Sequence, residues 1–291
     1  MRKIAESELI LNPDGSIYHI NLHPENLSND IIFVGDQKRV NRIAKRFEKI
    51  EFETQKREFH TITGYYKGKR ISVMSTGIGP DNIDIVMNEL DALVNIDLKN
   101  RTIKEKHTSL NIIRIGTSGS LQADIPVDSF VLGKYGLGMD GMLHYYDAEH
   151  IRELDMEEAF IQHTGWSSDK ARPYIVKNSD QLEKKLLTDK VYSGITGTAV
   201  GFYGPQGRIL RLALSDPDMN KKMDSFEYKG VKMSNLEMET SAIYGLAKLL
   251  GHNACSMNAI IANRANLTFS KDPYKAIDAL IDYTLNRMLL L

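Results

Sequence analysis

"LNIIRIGTSGS" (residues 110–120) joins an apolar run to a turn made of glycine, serine and threonine. Leu110, Ile112, Ile113 and Ile115 leave no polar face, so the run reads as a strand covered on both sides. Such strands belong to mainly parallel sheets with helices on each face. Arg114 interrupts the run. A guanidinium inside a covered strand is costly unless it meets a negative charge, which is either an internal carboxylate or a bound anion. The small residues after it favour the anion. They let backbone N–H groups and the Thr117 hydroxyl approach an oxyanion. A planar guanidinium fork suits phosphate better than an ammonium does.

The same reading extends outward. "DIIFVGD" (30–36) is a second apolar run ending in glycine. "QKRVNRIAKRFEKI" follows it with Val40, Ile43, Ala44 and Phe47 at helical spacing. "EFHTITGYYKGKRISVMSTGIG" (58–79) predicts a hairpin turning at "KGK", and Ile83, Val86, Met87 and Leu90 predict a helix after it. "SFVLGKY" (129–135) is a third strand. Residues 136–172 read as a surface excursion with a helix from Ala148 to Phe160. Then come a helix in "SDQLEKKLL" with a Ser or Asp cap, and a strand in "VYSGITGTAV". "EMETSAIYGLAKLLGH" is a helix ended by Gly251, "ACSMNAIIAN" a strand, and "DPYKAIDALIDYTLNRMLLL" a closing helix with Pro273 near its start. This alternation predicts one α/β domain over residues 1–291, its mostly parallel sheet covered by helices on both sides.

Composition narrows the function. The 37 Lys+Arg and 38 Asp+Glu nearly cancel, so no global field attracts nucleic acid or an anionic membrane. A single cysteine, Cys255, excludes an internal disulfide and points to a reducing, cytoplasmic compartment. No run approaches the roughly 18 apolar residues of a membrane span. "MRKIAESELILNPDGS" carries charges inside its apolar stretch, unlike a signal peptide. "GLGMDG" (136–141) fits G-x-G-x-x-G, but "MLHYYD" after it starts a helix poorly and no ribose-binding acid follows at the right distance. There is no P-loop, G-x-S-x-G, H-E-x-x-H or cysteine pair. His19 and His23 are four apart without a helical pattern and read as surface histidines, so no metal is expected.

Ligands of such sheets bind beyond the carboxyl ends of strands. Four ends here are polar or glycine-rich: Gly35–Arg39, Arg114–Gly119, Thr196–Arg208 and Asn263–Arg264. "FYGPQGR" (202–208) packs Phe202, Tyr203, Gln206 and Arg208 into one loop. In "EMET" (237–240), Glu237 and Glu239 are either acids favoured in a first helical turn or a grip for a vicinal diol.

Gly35-Asp36-x-x-Arg39, "KREF" (56–59), "STGIG" (75–79), "RIGTSG" (114–119), "FYGPQGR" and "NLEMET" (235–240) together resemble the nucleoside phosphorylases of the uridine phosphorylase type. The motifs keep the family order and span about His19 to Arg264. The resemblance implies a single α/β domain around a mixed, partly closed sheet. It implies phosphate held by Gly35, Arg39, Arg114 and Thr117, with Arg57 arriving from a neighbouring subunit. Glu239 would take the ribose 2′- and 3′-hydroxyls, with Met238 beneath the sugar. His19, in "YHINL", would meet the 5′-hydroxyl across the interface. Phe202 would pack on the nucleoside, Gln206 and Arg208 would read the base with Arg264 behind them, and Ile261 would line the pocket. Arg114, Gln206 and Arg208 would carry the catalysis. The implied assembly is a homo-oligomer, a dimer of shared sites or a trimer of dimers. Inorganic phosphate is a co-substrate and no cofactor is expected. Some relatives hold a monovalent cation between subunits near the Glu58 and Asp81 positions. This chain departs from the pattern there, with Asp81 where a small hydroxyl residue is frequent, so the cation is not carried over. A second departure is Gly204-Pro205, where the family usually has Pro before Gly.

The loop chemistry fits uracil, whose edge presents O2, N3–H and O4. A Gln amide pairs with N3–H and O2, and an Arg donates to O4. The expected reaction is phosphorolysis of uridine to uracil and ribose 1-phosphate. Two alternatives stand beside it. A purine nucleoside phosphorylase or nucleosidase would want an acid after the late strand, where this chain has "IIANRAN" (260–266). A non-catalytic nucleoside-binding protein would not need three phosphate arginines.

Overall fold

The computed structural model describes residues 3–291. In chain order β1 is Asp30–Val34, α1 Gln37–Ala44, β2 Lys49–Lys56, β3 Phe59–Tyr66, β4 Lys69–Ser75 and α2 Pro80–Asn95. The short β5 (Ile96–Asp97) and β6 (Thr102–Ile103) precede β7 (Asn111–Ser120), β8 (Phe130–Gly138), α3 (Leu154–Thr164), β9 (Tyr174–Lys177), α4 (Asp180–Leu186) and β10 (Val191–Thr198). The chain ends with α5 (Met219–Asp224), β11 (Glu227–Tyr228), β12 (Val231–Glu237), α6 (Thr240–Leu249), β13 (Asn253–Asn263), β14 (Thr268–Phe269) and α7 (Pro273–Met288).

One large sheet holds the molecule together, with neighbours in the order β12-β10-β8-β13-β7-β1-β4-β3-β2. β12 also pairs back onto β7, placing Asn235 opposite Ser120 and Leu236 opposite Gly119. That contact closes β12, β10, β8, β13 and β7 into a small barrel, and β1 to β4 extend it as a wing. Parallel ladders join β4, β1, β7 and β13 and, separately, β8, β10 and β12. The sheet is therefore mixed, as expected.

The doubly apolar strands behave as their sequence predicts. In β1, Ile31 and Phe33 pack with Ile83, Val86 and Leu90 of α2 and with Ile243 of α6. Ile32 and Val34 face the other way, onto Val40 and Ile43 of α1 and Leu280 of α7. Period-2 side chains in a strand covered on both faces require this. A third cluster joins β8 and β12 to Phe160 of α3 and Met223 of α5. Among the described residues no helix is long and apolar enough to cross a membrane.

Several boundaries move. The third strand runs on through Gly138, so Gly136 and Gly138 of "GLGMDG" lie in ladders with β10 and β9. A Cβ on Gly136 would stand 2.8 Å from Ser241 Cα, so close packing explains that glycine and not a dinucleotide. The helix expected over Ala148–Phe160 is a 3-10 turn, Glu149–Ile151, and then α3, separated by extended backbone at Arg152. Ser179 occupies the N-cap position of α4, but its hydroxyl donates to Asn253 Oδ1 at 2.9 Å instead of capping. "EMET" does not open a helix at Glu237, which ends β12; α6 starts at Thr240. β9 and α5 are too short, at four and six residues, to show a period, and β2 alternates Ile50, Phe52 and Thr54 with polar residues but buries none of them fully, so it carries no core signal.

Candidate functional site

The carboxyl-terminal residues of β7 and β12 cross antiparallel, and this crossing gathers the site. A cleft of about 290 Å³ opens there. Its walls include Gly35, Arg39, Arg114 and Thr117 on one side, Met238 and Glu239 on another, and Phe202, Gln206, Arg208 and Ile261 on a third. Ten of the residues singled out in the sequence thus share one cavity. Arg264 stands just behind it. Arg57 and His19 do not line it.

Arg114 has internal partners. Its Nη1 donates to Asn258 Oδ1 at 2.8 Å, and its Nη2 donates to Glu239 Oε2 and lies 3.2 Å from Glu237 Oε2. Burial alone would lower its pKa, but Glu237 and Glu239 more than offset this and hold it above its ordinary value. Gly116 makes room for it: a Cβ there would stand 1.9 Å from Arg114 Nη1. The internal ion pair and the lining of the pocket are both real for this side chain, and the sequence had offered them as alternatives. Asn258 could have been found by the argument that found Arg114, as a polar residue inside the apolar strand "SMNAIIA".

Arg39 differs. It is half-buried and donates only to the Ile115 carbonyl, at 3.2 Å. Among the described residues it has no carboxylate within ion-pair distance. Burial lowers its pKa first, and the neighbouring Arg114 lowers it further. Glu237 and Glu239 neutralise Arg114, but among the described residues Arg39, in the same cleft as Thr117, has no ion-pair partner, so its charge is left for a ligand. The geometry suits an oxyanion.

The two acids of "EMET" divide their labour. Glu237 accepts from Thr198 Oγ1 at 2.8 Å, from Glu239 N at 2.9 Å and from Thr240 N at 3.0 Å. It serves the first turn of α6, as the dipole argument predicts. Glu239 faces the cleft, and its Oε1 accepts from Gly79 N at 3.0 Å. Burial pushes its carboxyl above the ordinary range, with Arg114 opposing and Glu237 adding.

The loop 202–208 turns through a 3-10 segment, Gly204–Gln206, with Gly207 left-handed at φ 71°. Gln206 is only 2 % exposed. Its Oε1 accepts from Arg208 Nη1 at 2.8 Å and Arg264 Nη2 at 2.9 Å, and Arg264 Nη1 also reaches the Gln206 carbonyl. Both lone pairs of the amide oxygen are filled, so only the amide donors are free. A base N–H is accepted here only once one of these arginines moves off the amide oxygen. The guanidinium carbon of Arg208 sits over the Phe202 ring, 3.7 Å from its centroid. Burial, with Arg208 adding, lowers Arg264 to about 10.

Arg57 and His19 sit together elsewhere. Arg57 is exposed at the β2–β3 turn with φ 55°, and its carbonyl accepts from Gln37 Nε2 at 2.6 Å. Lys56 Nζ reaches the Tyr18 carbonyl at 2.5 Å, tying this turn to the residue before His19. His19 is not the simple surface histidine the sequence suggested: its Nδ1 lies 2.6 Å from Glu89 Oε1.

Two other features are separate from this site. A larger cavity, about 570 Å³, lies on the far side of the loop between Trp166, Met139, Pro205 and Leu214, and the 136–172 excursion walls it. Asp91, His107 and His252 bring three donor atoms within 4.8 Å. However, His252 Nδ1 accepts from Leu110 N at 3.2 Å, so its Nε2 carries the proton and faces Asp91 Oδ1 at 3.3 Å, without a lone pair for a metal.

The sequence profile of the Phosphorylase superfamily matches residues 30–279. A uridine phosphorylase of Thermococcus kodakarensis is 26 % identical over 280 residues, 93 % of this chain and 86 % of that protein. A DeoD-type purine nucleoside phosphorylase of Shewanella loihica is 30 % identical over 237 residues, 81 % of this chain and 82 % of its own length. Among solved structures, a Trypanosoma brucei nucleoside phosphorylase described as showing uridine phosphorylase activity superimposes with a TM-score of 0.87 at 28 % identity, covering 97 % of this chain and all of that one. With the strand-end cleft and this match over most of its length, the chain belongs to the Phosphorylase superfamily and is a pentosyltransferase.

Proposed function

We propose that this protein catalyses reversible phosphorolysis of uridine, giving uracil and ribose 1-phosphate. The observation that carries the reading is the Arg39–Arg114–Thr117 pocket, with Arg39 unpaired, opening beside a buried carboxylate and a buried amide. Phosphate is itself the nucleophile, so no activated serine or cysteine is needed. The arginines hold it next to C1′, where its charge offsets the oxocarbenium that develops as the glycosidic bond breaks. Glu239 takes the 2′- and 3′-hydroxyls. Negative charge gathers on the O2–N3–O4 system of the departing uracil. Arg208 swings from Gln206 to O4, and the lone pair it vacates receives N3–H while the Gln206 amide donates to O2. These contacts strengthen as charge develops, which lowers the barrier and not merely the binding energy. Arg57 and His19, tied together by Lys56 and outside their own cleft, serve the site of a second copy of the chain. The active unit in this reading is a homodimer.

Purine cleavage fits less well, although purine nucleoside phosphorylases are among the relatives. Its leaving group needs a proton donor near N7. At the end of β13, Asn263 is buried and turned away, donating to the Gln122 and Ile125 carbonyls at 2.8 Å each. Incubation with uridine, thymidine, cytidine and inosine, with and without phosphate, tests the proposal. Uracil should appear from uridine only with phosphate, and inosine and cytidine should react far less. Equal release without phosphate would make the protein a hydrolase and overturn the reading.

A further inference from the structure

Glu89 lies on the third turn of α2, is not among the residues that line the cleft of its own chain, and is mostly buried. Its carboxylate accepts from His19 N at 3.1 and 3.0 Å and from Ile20 N at 2.9 Å, and it meets His19 Nδ1 at 2.6 Å. No lysine or arginine pairs with it among the described residues. A buried carboxylate is here spent on one short loop. Because a carboxylate only accepts, His19 Nδ1 must carry the ring proton, which leaves Nε2 as the free nitrogen. The ring cannot turn freely: Tyr18 meets it edge-on at 4.7 Å and Phe59 at 6.4 Å. Lys56 pins the loop from the other side at the Tyr18 carbonyl.

We propose that Glu89 is a positioning residue that fixes the tautomer and direction of His19, so that Nε2 is presented to the 5′-hydroxyl of a nucleoside bound in the adjoining subunit. The inference rests on the nucleoside reading above. It explains why the residue is a carboxylate. Three N–H groups converge on it, and two oxygens can accept them all. Glutamine offers one oxygen and places an NH₂ against a donor, so the ring or the loop must give way.

The test is steady-state kinetics with uridine and 5′-deoxyuridine for wild type, Glu89→Gln, His19→Ala and the double variant. The wild type should have the lower KM for uridine. Glu89→Gln should raise the uridine KM about 3- to 10-fold, the worth of one hydrogen bond, while the KM and kcat for 5′-deoxyuridine stay put. That unchanged turnover also shows that the variant folds. The double variant should be no worse than His19→Ala alone. The inference falls if Glu89→Gln keeps the wild-type preference for uridine. It also falls if the KM values for both substrates rise together, since Glu89 would then support only the loop. Absence of phosphate-dependent release by the wild type would overturn the uridine reading and this inference with it.

Discussion

Arg39 and Arg114 line the same anion pocket, yet the structure assigns them opposite roles in stability. Arg114→Ala strips the counter-charge from Glu237 and Glu239, which are 4 % and 3 % exposed, and leaves Asn258 Oδ1 without its donor. Removing one partner of a buried ion pair costs about 3–5 kcal/mol. In a chain of this size that is roughly a 5–15 °C fall in Tm. Arg39→Ala loses one main-chain hydrogen bond and relieves repulsion from Arg114. Its stability change should be within about 1 kcal/mol. On phosphate the order differs. Arg39 has no internal carboxylate to hold it, so its charged hydrogen bonds, worth about 1.5–3 kcal/mol, go to the ligand. The phosphate KM should therefore rise roughly 10- to 150-fold. Arg39→Lys keeps the charge but loses the fork, and should lie between the two. Thermal unfolding and phosphate-dependent kinetics on the three variants decide the matter. An Arg39→Ala protein with wild-type phosphate KM would refute the anion pocket. An Arg114→Ala protein as stable as wild type would refute the ion-pair argument.

Two further outcomes follow from the geometry. Arg57→Ala and Glu239→Ala should each be nearly inactive, but refolding them together should restore part of the activity, because a mixed C2 dimer contains one site with neither defect; proven heterodimers without recovered activity would mean that each site is built from one chain. Asp278 on α7 is gripped by Arg42 at 2.6 and 2.7 Å and by Arg46 at 3.1 Å, and the hydrogen bond from Arg42 lowers its pKa from 3.8 to about 2. A depressed carboxyl contributes stability that is complete above about pH 4 and is lost as pH falls through 2. Because Asp278 is a third exposed, solvent screening cuts this to about 1 kcal/mol. Asp278→Asn should be less stable by that amount at pH 7, with the gap to wild type closing between pH 4 and pH 2; a gap that widens on acidification would contradict the pairing.

What the sequence determined by itself was local and periodic. The apolar runs around Ile31–Val34 and Ile112–Ile115 fixed buried strands, since every residue in them needs cover on one face or the other. Glycine at their ends marked where backbone can approach a ligand, and an arginine within an apolar strand marked a charge to be met. These signals pointed to Gly35, Arg39, Arg114 and Thr117, while Met238 and Ile261 came only with the family resemblance. Tertiary structure decided what depends on partners distant in the chain. The pairing of Ser120 with Asn235 closes the barrel, and no period in either segment announces it. Only the fold separates Glu237, which serves the start of α6, from Glu239, which faces the cleft, because the two differ in surroundings and not in residue type. Only the fold fills both lone pairs of the Gln206 amide oxygen with Arg208 and Arg264, and sets Glu89 behind His19 across 70 residues. A side chain's type and neighbours state which bonds it can make. The bonds it does make depend on which groups the closed sheet brings within 3 Å, and that distance is not written along the chain.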